Sequence, residues 1–163
     1  MRKLLPLAAA AAAAISLAVS STPASATSGA HFFKDTGASI NDNGALVVTI
    51  DEAGVGQSQV NYTLTANATA VWACLNGGGN HPKAANKETV SGQVSTAASF
   101  SPINGRVMAT MPPTGPLSPG AFSCPPGQTL VLASASYSDI TLTDTTNGVT
   151  DNLGSTSRTF FNV

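Results

Sequence analysis

Beyond residue 26 the apolar side chains fall on every second position, and no stretch of eleven or more residues repeats at helical spacing. Few folds are open to such a chain, because a period of two buries one face of a strand and leaves the other wet. Leu46, Val48 and Ile50 share one face of a strand at 45–51, with Val47 and Thr49 opposite. Asn43-Gly44 just ahead is a turn signal, since both residues tolerate positive φ, and 31–40 is the expected hairpin partner. Val60, Tyr62 and Leu64 mark the next strand. Val71, Ala73 and Leu75 alternate with Trp72 and Cys74 on the one after, and Asn67 is expected at the turn between them. A longer series, Val90, Gly92, Val94, Thr96, Ala98 and Phe100, is expected to turn at Asn104-Gly105 into a hairpin with Val107, Ala109 and Met111.

Met111 to Pro126 reads as loop, because Pro112, Pro113, Pro116, Pro119, Pro125 and Pro126 cannot donate to a ladder. Leu130 to Leu142 reads as strand with a change of phase. Val131, Ala133, Ala135 and Tyr137 lie on one face and Ile140 and Leu142 on the other, so a bulge is expected near Ser138-Asp139. Asn147-Gly148 is another turn signal, and 158–163 is a candidate last strand. About seven to nine short strands separated by turns predict an all-β fold, an antiparallel immunoglobulin-like β-sandwich, with a barrel as the alternative. Cys74 and Cys124 are expected to form one disulfide that pins the two sheets. Closing a loop of about 50 residues is worth about 4 kcal/mol in the chain-entropy account. Trp72, two residues before Cys74, is expected to point the same way and pack beside the bridge.

The first 26 residues have a different character. Arg2 and Lys3 precede an apolar run from Leu4 to Val19, and a short polar stretch closes on Ala24-Ser25-Ala26. A basic start, an apolar middle and a small-x-small site are the layout of a signal peptide, with cleavage signalled by Ala24 and Ala26. The run is shorter than the roughly 20 residues a span needs, and Pro6 and Ser16 interrupt it. The expectation is a cleaved signal peptide over 1–26 and a single secreted domain over 27–163, extracellular and without a membrane anchor. The oxidising compartment then suits the cysteine pair.

The formal charge is −1. The cations beyond the leader (Lys34, Lys83, Lys87, Arg106 and Arg158) are scattered, whereas a phosphate-binding surface needs them clustered; nucleic acid is not an expected partner. His31 and His81 lack a second His or Cys at ligand spacing, so no zinc site is expected. Asp42-Asn43-Gly44 and Asp139 with Asp144 and Asn147 fall short of a calcium ligand series and read as turn residues. Asp51 and Glu52, adjacent at a strand end, read as solvated turn residues. Asp35, Glu88, Asp139, Asp144 and Asp151 show no spacing that pairs two carboxylates across a cleft. No Gly-x-Ser-x-Gly elbow occurs. No catalytic residue, metal or cofactor is therefore expected.

The richest loop runs from Cys74 to Lys83. Asn76, Asn80, His81 and Lys83 are its candidate binding residues; the alternative is a turn-rich connector. Together with 112–126, rooted nearby through the cysteines, it is the expected recognition surface. The function expected on these grounds is a non-catalytic binding or surface-interaction module for an unknown extracellular or cell-surface partner. A small-molecule carrier, a structural coat protein and, last, a hydrolase are the alternatives.

The stretch 71–87, with its cysteine, Asn/Gly run, His81-Pro82 and Ala85-Asn86-Lys87, resembles a group of small secreted proteins of actinomycetes. The resemblance extends through 122–128 and 144–148. It implies a secreted actinobacterial protein and transfers no catalytic residue. A looser similarity is to the antibiotic-carrying apoproteins of the same bacteria, small low-charge sandwiches that usually hold two disulfides where this chain has the residues for one.

Overall fold

The computed structural model describes residues 29–76 and 86–163. The leader with Ala24 and Ala26, and the loop residues Asn80, His81 and Lys83, lie outside the described residues. Eight strands follow in order: β1 (His31–Phe32), β2 (Gly37–Ile40), β3 (Leu46–Ala53), β4 (Val60–Asn76), β5 (Lys87–Phe100), β6 (Arg106–Thr110), β7 (Gln128–Asp144) and β8 (Val149–Thr159). They form two antiparallel sheets. In the smaller, β3 is central, with β1 and β2 end to end along one side and β6 along the other. The larger has the order β5-β4-β7-β8. The expected all-antiparallel two-layer β fold with one disulfide is what the chain forms.

Alternation places the core between the layers. In β3 the even residues Leu46, Val48 and Ile50 are buried while Thr49 is exposed. In β4 the even residues from Val60 to Ala70 face inward, and the outward positions carry Asn61, Thr63, Thr65, Asn67 and Thr69. Tyr137, Ile140 and Leu142 of β7 complete the floor. Each fully buried Leu, Ile or Val contributes about 2 kcal/mol by leaving water. The expected phase change in β7 is a bulge: Asp139 has φ 51°, and the register against β8 shifts between Tyr137 and Ile140.

Four expectations are corrected. Asn67 does not turn the chain; β4 runs unbroken through it, and the register against β7 shifts there instead. Its side chain points outward in an uninterrupted alternation, and its amide donates to Asp139 Oδ2 at 2.8 Å. Second, β5 and β6 are not a hairpin. Asn104 (φ 52°) and Gly105 (φ 75°) do form a tight turn closed by Ile103 and Arg106, but β6 pairs with β3 and β5 with β4. Pro102 lacks an N–H, so the ladder cannot continue past Phe100, and the chain crosses to the other layer. Third, the last strand is Val149–Thr159 and ends where 158–163 was expected to begin one. Fourth, the disulfide does not pin the two sheets. Cys74 ends the buried run of β4, and Cys124 lies in the loop leading into β7, a strand of the same sheet.

That proline-rich loop closes one end of the sandwich. Thr114 exchanges backbone hydrogen bonds with Leu46 (2.8 and 3.1 Å), and Tyr137 Oη donates to Gly44 O at 2.8 Å. Trp72 Nε1 donates to Leu117 O at 2.9 Å, so the indole holds the loop rather than a sheet interface. On one flank β2 meets β8, where Arg158 donates to Ile40 O (3.0 Å) and Asp42 (2.6 Å). With that flank matched, the smaller sheet, three strands wide because β1 and β2 share one side of β3, falls one strand-width short of the larger on the other. The inward side chains Val94, Ala98 and Phe100 of β5 are accordingly only half-buried.

Candidate functional site: the corner between β5 and β6

Four large apolar side chains are exposed among the described residues, and three of them (Phe33, Ile103 and Met108) gather where the short layer ends. Ile103 is 78% exposed and Met108 73%. Each would lose free energy in water unless something covers it, so their clustering marks a surface with a use. The sequence puts them there by two local devices. The Asn104-Gly105 turn projects Ile103 outward, and β6 alternates Val107 and Ala109 inward with Arg106, Met108 and Thr110 outward.

Beside them lies a cleft of about 290 Å³ lined by Phe100, Ile103, Val107, Met108 and Ala109, with Ser101 and Arg106 as its polar members. Arg106 is already engaged. Its Nε and Nη2 donate to the two oxygens of Asp51 at 2.7 and 2.6 Å, and its guanidinium lies 4.8 Å from the Phe33 ring centroid. The hydrogen bonds from Arg106 hold the Asp51 carboxyl below its usual range. The pair cancels its own charge, which leaves a neutral apolar corner with a polar rim, the make-up of a binding site rather than of an ion site.

The corner also ends in an open strand edge. Met111 N donates to Val48 O at 2.9 Å, and the register pairs Ala109 with Ile50 and Val107 with Glu52. In an antiparallel ladder the intervening residues point their N–H and C=O away from the partner. Met108 and Thr110 therefore aim theirs outward, and among the described residues β6 pairs with no strand but β3.

Of the binding residues expected from sequence, the described one, Asn76, lies elsewhere. Asn76 is exposed at the far end of β4, opposite Gln128, while the corner sits at the other end, where Val60 pairs with Phe100. At about 3.3 Å per residue the two ends of this strand are roughly 50 Å apart. His31 stacks edge-on to Phe33 with centroids 5.0 Å apart, which puts it on the rim of the corner. Sequence reasoning missed the corner, although Ile103 beside Asn104-Gly105 was a signal: a bulky apolar residue abutting a tight turn.

It also misread the acids. Asp51 and Glu52, expected in solvent, are buried. Glu52 points inward, and its Oε2 accepts from Tyr62 Oη at 2.7 Å. Asp144 faces Tyr62 across the β4–β7 ladder and is as fully enclosed. Its Oδ1 accepts from Thr146 N and Asn147 N at 2.8 and 2.9 Å, and its Oδ2 from Asn147 Nδ2 at 2.6 Å. Burial raises the Glu52 carboxyl to about 7; the Tyr62 hydroxyl opposes the rise and Asp144 adds to it. Glu52 Oε1 has no donor among the described residues. A proton on that oxygen, directed at Asp144, resolves the deficit. Two carboxyl groups thus converge, but inside the core, and Glu52 and Asp144 are each 0% exposed. Among the described residues no three His, Cys, Asp or Glu side chains gather as a metal site.

No protein-family model, curated protein or solved structure matches this chain.

Proposed function

We propose that this chain is a secreted, non-catalytic binding module with an immunoglobulin-like sandwich as its scaffold, related to the small actinomycete proteins it resembles. Its binding surface is the corner between β5 and β6. The observation that carries this reading is the meeting of Ile103 and Met108, both exposed, with an apolar cleft of about 290 Å³ beside them. A rigid two-layer scaffold that leaves such a patch uncovered fits recognition. The non-catalytic part rests on Glu52 and Asp144, which converge where no substrate reaches them.

Native mass spectrometry of the protein recovered from its producer's culture medium, beside titration with the apolar dye 1-anilinonaphthalene-8-sulfonate, tests the reading. The dye is expected to bind wild type and to bind Ile103→Asp and Met108→Lys at least tenfold more weakly, with any native adduct lost in the same variants. Both side chains stand in solvent, so both variants keep the fold. Dye affinity and adduct unchanged by both substitutions would remove the corner as the site.

A further inference from the structure

We propose that the corner binds by strand addition: an extended, uncharged segment of a partner polypeptide, with apolar side chains at alternate positions, lies along β6 as a new edge strand of the smaller sheet. The proposal rests on the corner being the binding site and names the class of its ligand.

Three observations converge on a strand. The layers are mismatched in width, three strands across against four because β1 and β2 share one side of β3, and the uncovered flank is that of β6 because β2 already meets β8 on the other. On that flank the inward face of β5 is half-covered: Val94, Ala98 and Phe100 pack against the core yet stay partly exposed. Along its border Met108 and Thr110 present two N–H donors and two C=O acceptors at ladder spacing. A small apolar molecule would fill the cleft and leave those four groups to water. An extended backbone satisfies them while its alternate side chains enter the cleft over Phe100 and Ala109. The remaining side chains come to lie beside Met108 on the outer face. The charge of the corner selects for a neutral segment. Arg106 is paired with Asp51 through Nε and Nη2, and no other charged group lines the cleft. A carboxylate or ammonium brought there would lose water and meet only an ion pair that is already neutralised.

The test uses the ¹⁵N-labelled chain and a synthetic nine-residue peptide that alternates valine and threonine between lysine ends. Two further versions carry backbone N-methyl groups on the valines or on the threonines. Strand addition is expected to slow amide exchange at Met108 and Thr110 at least tenfold, leaving the already paired Val107 and Ala109 unchanged. N-methylation in one phase should weaken binding at least tenfold, and in the other phase should not. Binding that ignores both N-methyl patterns, or gives no protection at Met108 and Thr110, overturns the proposal. So does failure of the parent peptide to bind. If dye binding stays sensitive to Ile103→Asp in that case, the corner remains a site and only strand addition falls. Protection of Met108 that appears without peptide and grows with protein concentration would assign the edge to a second copy of this chain and likewise overturn it.

Discussion

Glu52 shows how one residue can be legible in phase and misread in role. It continues the even series Leu46, Val48, Ile50, so its inward direction was written in the alternation. Acids at strand ends usually meet water, and that expectation prevailed because nothing local announces that β1 and β6 both pair with the end of β3 and enclose it. The burial has a consequence for stability. In the unfolded chain this carboxyl titrates near its ordinary 4.5, and in the fold it is raised to about 7. Below the lower value both states hold the proton and the group is neutral to folding. Between the two the unfolded state releases it more readily, so stability falls as pH rises across that window and levels off above it. The full drop is about 3 kcal/mol from this group. Glu52→Gln keeps the shape, offers an N–H toward Asp144 and cannot ionise. Urea unfolding at pH 4, 6 and 8 should therefore find the variant close to wild type at pH 4 and more stable at pH 8. Parallel curves for the two proteins would mean that Glu52 is not the titrating group.

Among the strands, alternation is legible in the sequence and partnership is not. Where alternation is strict, the face is visible in a strand's own residues: Leu64 inward and Thr65 outward, Val107 inward and Met108 outward; past the register shift at Val71/Trp72 it is not, and Cys74 is buried while Val71 and Leu75 are half-exposed. Which strand lies beside which is not visible, because pairing depends on distant segments. β5 finds β4 through fourteen register pairs, while β6 has only five positions and takes the edge of β3. The Asn104-Gly105 signal correctly gave a turn and wrongly implied that its flanks pair with each other. The cysteines behave similarly: their joining was expected, and where the bond acts was not. Cys74–Cys124 closes a loop of 50 residues that contains β5 and β6, and fastens the proline-rich segment to the end of β4. Replacing both cysteines by alanine should cost about 4 kcal/mol, less any strain relieved. Trp72, the only tryptophan, donates to Leu117 O within that segment, so its emission reports the loop directly. The expected result is a lower urea midpoint with a red-shifted native baseline. An unshifted baseline would show that Trp72 and the prolines hold the loop without the bridge.

For the whole molecule the decisive property is unequal coverage of two layers. β4 is flanked by β5 and β7 and buries its even face from Val60 to Ala70, so the amides there are released only when the sandwich opens. β8 is an edge, but Arg158 anchors its end to β2 through Ile40 O and Asp42. β5 and β6 are edges of a different sort. Between Thr89 and Phe100 no charged side chain interrupts β5, and charged residues are the usual guard against pairing with another chain. Both strands border the cleft, and the inner face of β5 is half-wet. Local opening should follow this order of coverage, since protection tracks the free energy of the smallest opening that frees an amide. Amide exchange on the free chain is therefore expected to be slowest across Leu64 to Ala70 and their β7 partners, intermediate in β8, and fastest at Met108 and Thr110. Substituting Ile103 by Asp should leave that gradient unchanged, because the side chain covers nothing in the free protein. Exchange at one common rate in both sheets would mean that every amide waits for global unfolding, and the corner would then be as rigid and closed as the core. A gradient that runs down toward β6 would instead place the least protected backbone along the cleft, where an incoming strand finds its hydrogen-bonding groups already open.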